Sequence, residues 1–229
     1  PADRGRDAAQ AAPWPSAEGC EGRRVTPWSA WFPDVLLHAP GVPDPTAEHA
    51  IARSAREFLR RTRAWVEWLD PFEATEARAQ EADFDLPTRS EVVRIERATR
   101  NGDSIEVRSY RELEADWTRH GDAQEVVSRD LRILTLTGAW AAGEQVQVQV
   151  SLMPAINATG LPDEIAQRHF EAIAEGAKAR LLATPAASFY NPAEAARAAA
   201  AFENAVNKTA IDAWRGHTNN IPRATVRWL

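Results

Sequence analysis

Residues Leu161–Gly216 constrain the fold of this chain more than any others, because they read as two consecutive amphipathic helices joined by a short proline-containing loop. Pro162 suits a first helical turn. Ile165, His169, Ile173, Ala177 and Leu181 then recur at steps of four, with Ala166, Phe170 and Ala174 beside them. Thr184-Pro185 stops this helix. Asn191-Pro192-Ala193-Glu194 starts the next, with Asn as N-cap, Pro at the first helical position and Glu two residues further on. Ala195, Ala199, Phe202, Val206, Thr209 and Ala213 form a narrow seam of small residues suited to close helix packing. Gly176 lies inside the first helix, where it costs about 1 kcal/mol relative to Ala. Close approach of another helix, such as the one at 46–69, would explain that cost. The stretch carries almost nothing able to make or break bonds, which leans against an enzyme.

Upstream, Asp44-Pro45 offers a cap followed by a helix-compatible proline. Ile51, Ala55, Phe58, Thr62, Trp65, Val66 and Leu69 then make one helical stripe from Thr46 to Leu69. Arg53, Arg56, Arg60, Arg61 and Arg63 occupy the other faces, either as a solvated surface or as a contact with an acidic partner or DNA phosphate. Residues 72–90 are acidic and weakly patterned, a loop or a partial helix from Glu73 to Ala82. The period then changes to two. Val93 and Ile95 precede Asn101-Gly102, and Ile105 and Val107 follow it, the pattern of a tight hairpin. Residues 111–129 are polar and irregular. Leu131–Gly138 and Glu144–Pro154 read as further strands, with Leu131, Ile133, Val146, Val148 and Val150 alternating with polar residues.

Residues 1–30, rich in Pro, Ala, Gly and Arg, read as an extended arm, and Trp31–Pro45 as an extended lead-in. Trp14, Trp28 and Trp31 are unusual in a solvated arm; they either fold back onto their own domain or dock on a neighbouring subunit. The expected fold is α+β. A helical body of three long helices (46–69, 162–184, 192–216) carries an inserted antiparallel β-sheet at about 91–153. It divides into an arm (1–30), a main domain (31–216) and a C-terminal tail (217–229).

Composition narrows the function. A net charge of −6 argues against simple binding to nucleic-acid phosphates but suits a wall past which DNA slides. The single cysteine, Cys20, allows no intrachain disulfide and no zinc site of paired cysteines. No apolar run approaches 18 residues, so no transmembrane helix is expected. The opening PADRGRDAAQ lacks the apolar core of a secretory signal. Nine Trp against two Tyr point to core anchors or interface hot spots. His38, His49, His120, His169 and His217 are nowhere spaced as a helical metal pair, and His169 sits on an apolar stripe as a core histidine would. No phosphate loop, nucleophile elbow or dinucleotide fingerprint occurs. No catalytic, cofactor or metal residue is therefore assigned.

The run VPDPTAEHAIARSAREFLRRTRAW (Val42–Trp65), a sheet with an Asn-Gly hairpin, and the LP…H…AIA.GA..RLL..P…NP..A….F pattern of Leu161–Phe202 together resemble the head–tail connector adaptors of tailed phages, of the tail tubular protein type. The resemblance spans about Phe32 to Gly216 and is one of packing rather than of chemistry. It implies a homo-oligomeric ring, commonly a dodecamer, located in the virion at the head–tail interface and assembled in the host cytoplasm. The ring would bind the portal protein on one side and the next tail component (terminator, nozzle or tube) on the other. DNA would pass through its lumen without specific binding, and no membrane, cofactor or turnover is implied. The strand region would project toward the tail. Ile221, Val226, Trp228 and Leu229 of the C-terminal tail would contact the portal. Gly176, Ala195, Ala199, Phe202 and Val206 would pack subunits. The chain departs from the pattern in a longer segment before Trp31 and in Val42, where relatives often have Cys. The alternative is a soluble glycan- or peptide-binding module using exposed Trp117 and Trp140.

Overall fold

The computed structural model describes residues 24–76, 79–110 and 124–215. Four α-helices lie among them: α1 (Phe32–Leu36), α2 (Asp44–Thr62), α3 (Asp163–Leu182) and α4 (Pro192–Trp214). The strands are β1 (Val25–Pro27), β2 (Val66–Trp68), β3 (Phe72–Glu73), β4 (Ala79–Asp83), β5 (Ser90–Arg100), β6 (Asp103–Ser109), β7 (Glu125–Ser128), β8 (Ile133–Thr137), β9 (Gln145–Pro154) and β10 (Gly160–Pro162). Eight of them form one curled sheet in the order β2-β9-β5-β6-β7-β8-β4, with β3 also on β9. The β6–β7 pair is parallel and the other pairs antiparallel, so the sheet is mixed. β1 and β10 pair separately.

This architecture overturns the expected body of three long helices with a small antiparallel insert. The sheet begins well before residue 91, and the expected helix 46–69 stops at Thr62. Arg63 takes a left-handed conformation (φ 53°) that caps the helix through its N–H to the Leu59 carbonyl. Trp65 and Leu69 are nonetheless buried, as the helical stripe required. A step of four keeps two residues on one face of a helix and equally on one face of a strand. β2 uses the second option: the Trp65 carbonyl accepts from the Leu152 N–H at 2.7 Å, and the Leu69 N–H donates to Val148 at 2.9 Å. The acidic 72–90 region, expected as loop or helix, supplies β3 and β4, and β7 lies inside the segment expected to be irregular. The lead-in is not wholly extended either, because α1 forms with Pro33 in its first turn. Residues 24–31 are not a free arm: β1 pairs with β10, and a 3-10 turn follows at Trp28–Trp31.

The Asn101-Gly102 hairpin forms as expected, with φ of 48° and 91° at its two central residues, the pair of positive angles a type I′ turn demands. β5 itself departs from simple alternation. Its buried residues are Val92, Ile95 and Ala98, at steps of three, rather than Val93 and Ile95. Two bulges produce this. Opposite β9, Val92 pairs with Leu152 but Arg94 with Ser151, and Ile95 pairs with Val150 but Arg97 with Gln149. Each bulge inserts one residue and resets the pleat, so a period of three keeps one face inward. β8 also buries the opposite phase from the one expected, Leu134 and Leu136 rather than Leu131 and Ile133. On β9 the expected alternation holds, with Val146, Val148, Val150 and Leu152 buried.

The helices pack as a layer on one another, and α2 also lies against β9. α3 is the centre of that layer. A Cβ built on Gly176 would lie 2.1 Å from Ser54 Oγ on α2 and 2.7 Å from the Phe202 ring on α4. The missing side chain is therefore what lets both neighbours reach α3 at one level. Buried Ser54 donates to the Ile173 carbonyl at 2.9 Å, so its hydroxyl is satisfied where no water reaches. Phe58 and Phe202 meet at 6.2 Å, and Phe58 lies 4.9 Å from the buried His169 ring, where α3 is kinked. Gly176→Ala should destabilise the chain by about 1–3 kcal/mol through overpacking, despite the better helix propensity of Ala. Urea denaturation checks the sign: an unchanged or raised midpoint would mean that α2 and α4 yield freely.

Candidate functional site

A groove of about 710 Å³ lies between the ends of the helices and the outer face of the sheet. Its walls are Arg63 and Ala64 after α2, Val66 of β2, Arg94 and Arg97 of β5, Gln149 of β9, Glu164 and Arg168 of α3, and Trp214 of α4. The sheet wall follows from register. Gln149 pairs with both Trp68 and Arg97, and Ser151 with both Val66 and Arg94, so those side chains share one face across three strands. A second bulge at Glu96 makes this possible. On a regular strand, residues three apart point to opposite faces.

Four arginines face two glutamates in the groove. Arg63 and Glu96 neutralise each other at 3.1 Å. Arg94, Arg97 and Arg168 are exposed and make no ion pair among the described residues. Glu164 is the one remaining anion of the lining. The surplus is thus positive on a chain whose net charge is −6. Apolar surface adjoins it: Trp214 is 66% exposed, and Val66 and Trp68 are each 42% exposed. Exposed aromatics next to unpaired arginines are typical anchors of a macromolecular contact. A second groove of about 760 Å³ runs between α3 and α4 and is lined by charges of both signs, among them Glu171, Glu175, Lys208 and Asp212. Among the described residues, no three His, Cys, Asp or Glu side chains come together as a metal set. No helix of the described residues is long and apolar enough to cross a membrane.

The residues expected to pack subunits lie mostly inside their own chain. Gly176, Ala195, Phe202 and Val206 are buried between α2, α3 and α4, whereas Ala199 is exposed and Ala198 takes its place in the seam. The arm anchors Trp28 and Trp31 are buried too. Their indole N–H groups donate to Ala158 and Phe170 carbonyls at 2.8 and 3.0 Å, and Trp31 stacks on Phe170 at 4.9 Å. Trp140 is only 4% exposed and donates to the Thr137 carbonyl, so it offers no binding platform. Trp14, Trp117 and the tail residues Ile221, Val226, Trp228 and Leu229 lie outside the described residues.

The arginine face of α2 serves largely as an internal clasp. Arg56 pairs with Glu91 at 3.0 Å, Arg63 with Glu96, and Arg61 with Glu203 of α4 at 2.6 Å. Arg180 of α3 joins Glu57 of α2, which also meets Arg61. Arg53 and Arg60 remain exposed. Sequence reasoning missed the groove residues Arg94, Arg97, Arg168, Val66 and Trp214 and the adjoining Trp68. The available signal was the three-residue recurrence of Val92, Ile95 and Ala98, which betrays the bulges that align Arg94 with Arg97. No protein-family model matches the chain, and no curated protein matches it.

The Arg61 hydrogen bonds hold the Glu203 carboxyl below its ordinary pKa. A lowered folded-state pKa adds stability above the unfolded value, and that stability is lost as pH falls through the lowered one. Both groups are well exposed, so salt screens the effect. Glu203→Gln should lower the neutral-pH melting temperature slightly and flatten its fall toward acid. A melting series in pH and salt checks this, and an acid limb identical to that of the unaltered chain would rule out the linkage.

Proposed function

We propose that this chain is a structural subunit of a tailed-phage particle, forming the adaptor ring between portal and tail and continuing the DNA channel. The observation that carries the reading is the exposed apolar end of the helical layer. Trp214 and, three residues earlier, Ile211 stand on the last turns of α4, 66% and 49% exposed. Val66 and Trp214 both line the groove, and Trp68 stands two residues beyond Val66 along β2. A solitary domain gains nothing from leaving such side chains in water, whereas an assembly subunit covers them. α4 also ends only two residues short of the segment, 217–229, that the resemblance assigns to the portal. The clasped helices would give the ring a stiff wall. The negative net charge would let DNA pass without sticking. On this reading the ring is assembled in the host cytoplasm, and the sheet faces the next tail component.

Mass spectrometry of purified particles of the phage that encodes the chain tests this directly. The chain should be present in a fixed multiple of the portal copy number, and cryo-electron microscopy should place it beneath the portal. Its absence from intact particles would sink the proposal. Trp214→Ser should leave the melting temperature of the isolated chain within about 2 °C, since the side chain is exposed. The same substitution should reduce incorporation into particles several-fold. Unimpaired incorporation would remove this patch from the assembly.

A further inference from the structure

The arginine groove has a complement on the same chain. β4 is the last strand of the sheet path, at the far end from β2. It pairs with β8 on one side only. Along it Glu81, Asp83 and, just beyond, Asp85 are all exposed, while Gln80, Ala82 and Phe84 between them are partly buried. Alternation on a strand therefore sets three carboxylates in a row on the solvent side. None of the three makes an ion pair among the described residues. Like charges in a row repel one another, and no ion pair among the described residues offsets them.

Spacing makes the two features commensurate. Successive same-face residues on a strand stand about 6.6–6.8 Å apart. That is the separation of Glu81 from Asp83. It is also the separation of Arg94 from Arg97, because the bulge between them leaves their β9 partners, Ser151 and Gln149, two residues apart. Arg168 projects into the same groove from α3. Two guanidiniums and two carboxylates, none of them ion-paired among the described residues, are thus complementary in charge and alike in pitch and exposure, with Arg168 and Asp85 in excess.

We infer that the β4 acidic row of one copy docks in the Arg94–Arg97–Arg168 groove of a second copy. The two patches differ, so the contact is heterologous. Each subunit that accepts a neighbour on its groove still presents its own β4 row to the next, and repetition closes a ring when the rotation allows. The contact names the subunit interface of the proposed adaptor ring and rests on that reading. Arg63 takes no direct part, because Glu96 already neutralises it. Carboxylates spaced along one strand can meet the arginines one by one.

Charge exchange in the full chain tests the contact, with sedimentation velocity over a wide concentration range as readout. The unaltered chain should self-associate, and added salt should weaken that association, since exposed charges are screened beyond about 10 Å at 0.1 M. Arg94→Glu with Arg97→Glu should weaken association at least tenfold. Glu81→Arg with Asp83→Arg should do the same. An equimolar mixture of the two doubly substituted chains should restore it, because each supplies the patch the other has reversed. All four side chains are exposed, so circular dichroism and melting temperature should stay near those of the unaltered chain; a variant that fails to fold is replaced by its Gln or Asn counterpart, with the same loss expected. An unaltered chain that stays monomeric at every concentration overturns the contact, as does undiminished association of either variant. So does a mixture that fails to recover, or a groove that binds DNA or an unrelated acidic peptide in preference to a second copy. Presence in particles with failed charge exchange would spare the adaptor reading and remove only this interface. Successful exchange in a chain absent from particles would do the reverse.

Discussion

The helical layer depends on one missing side chain. At Gly176, α2 and α4 both press on α3 at distances that a Cβ would forbid. Ser54 and Phe202 occupy the space so released. The Ser54 hydroxyl finds the Ile173 carbonyl, and the Phe202 ring lies near Phe58. Around this dry centre, ion pairs of Arg61 with Glu203 and of Arg180 with Glu57 tie the same three helices at the surface. Interiors are close-packed and transmit displacement rather than absorb it. A glycine at the crossing therefore sets how α3 and α4 sit relative to α2, and α2 in turn lies on β9.

The sheet uses a second device, the bulge. β5 and β9 run together through most of their length, yet β5 carries two extra residues. Bulges increase local twist and bend a strand, in keeping with a sheet of eight strands that curls rather than lying flat. The same bulges sort charge. They send Val92, Ile95 and Ala98 inward and bring Arg94 and Arg97 to the same outer face. One local irregularity thereby closes part of the core and builds half of the groove's positive wall.

The parts that could be read from the sequence were those with a single physical interpretation. The Asn191 cap, whose side chain accepts from the Glu194 N–H, the Asn101-Gly102 turn and the β9 alternation each have one structural solution, and each formed. Gly176 was readable for the same reason: the helix expected at 46–69 does press on it through Ser54, and the Phe202 ring of α4, expected to pack subunits, presses on it as well. Errors arose where two solutions share one pattern. Trp65 and Leu69 fit a helix and a strand equally, and the deciding event was a left-handed Arg63, a conformation its sequence context does not announce. β3 and β4 are short and acidic, and their pairing with β9 and β8 is long-range, so no local signal marks them. The groove was invisible because it joins residues more than a hundred positions apart, from Arg63 to Arg168.

Charge connects these levels. A chain of net charge −6 repels its own copies at long range, which keeps it from collapsing into unspecific aggregates. A surface of opposite sign offsets that repulsion locally, and the excess arginines of the groove provide one. Attraction confined to one patch would select orientation as well as partner. The geometry of that approach follows from the fold. One wall of the groove is the bulged sheet and the other is formed by the ends of α3 and α4, so the angle at which a neighbour is received depends on how the helices sit on the sheet. That seating is fixed by the contact over Gly176 and by α2 against β9. Whether repeated contacts close into a ring or run on as a filament is a matter of a few degrees per step. In the proposed ring, a glycine buried far from the surface would thereby govern closure without touching a neighbouring subunit.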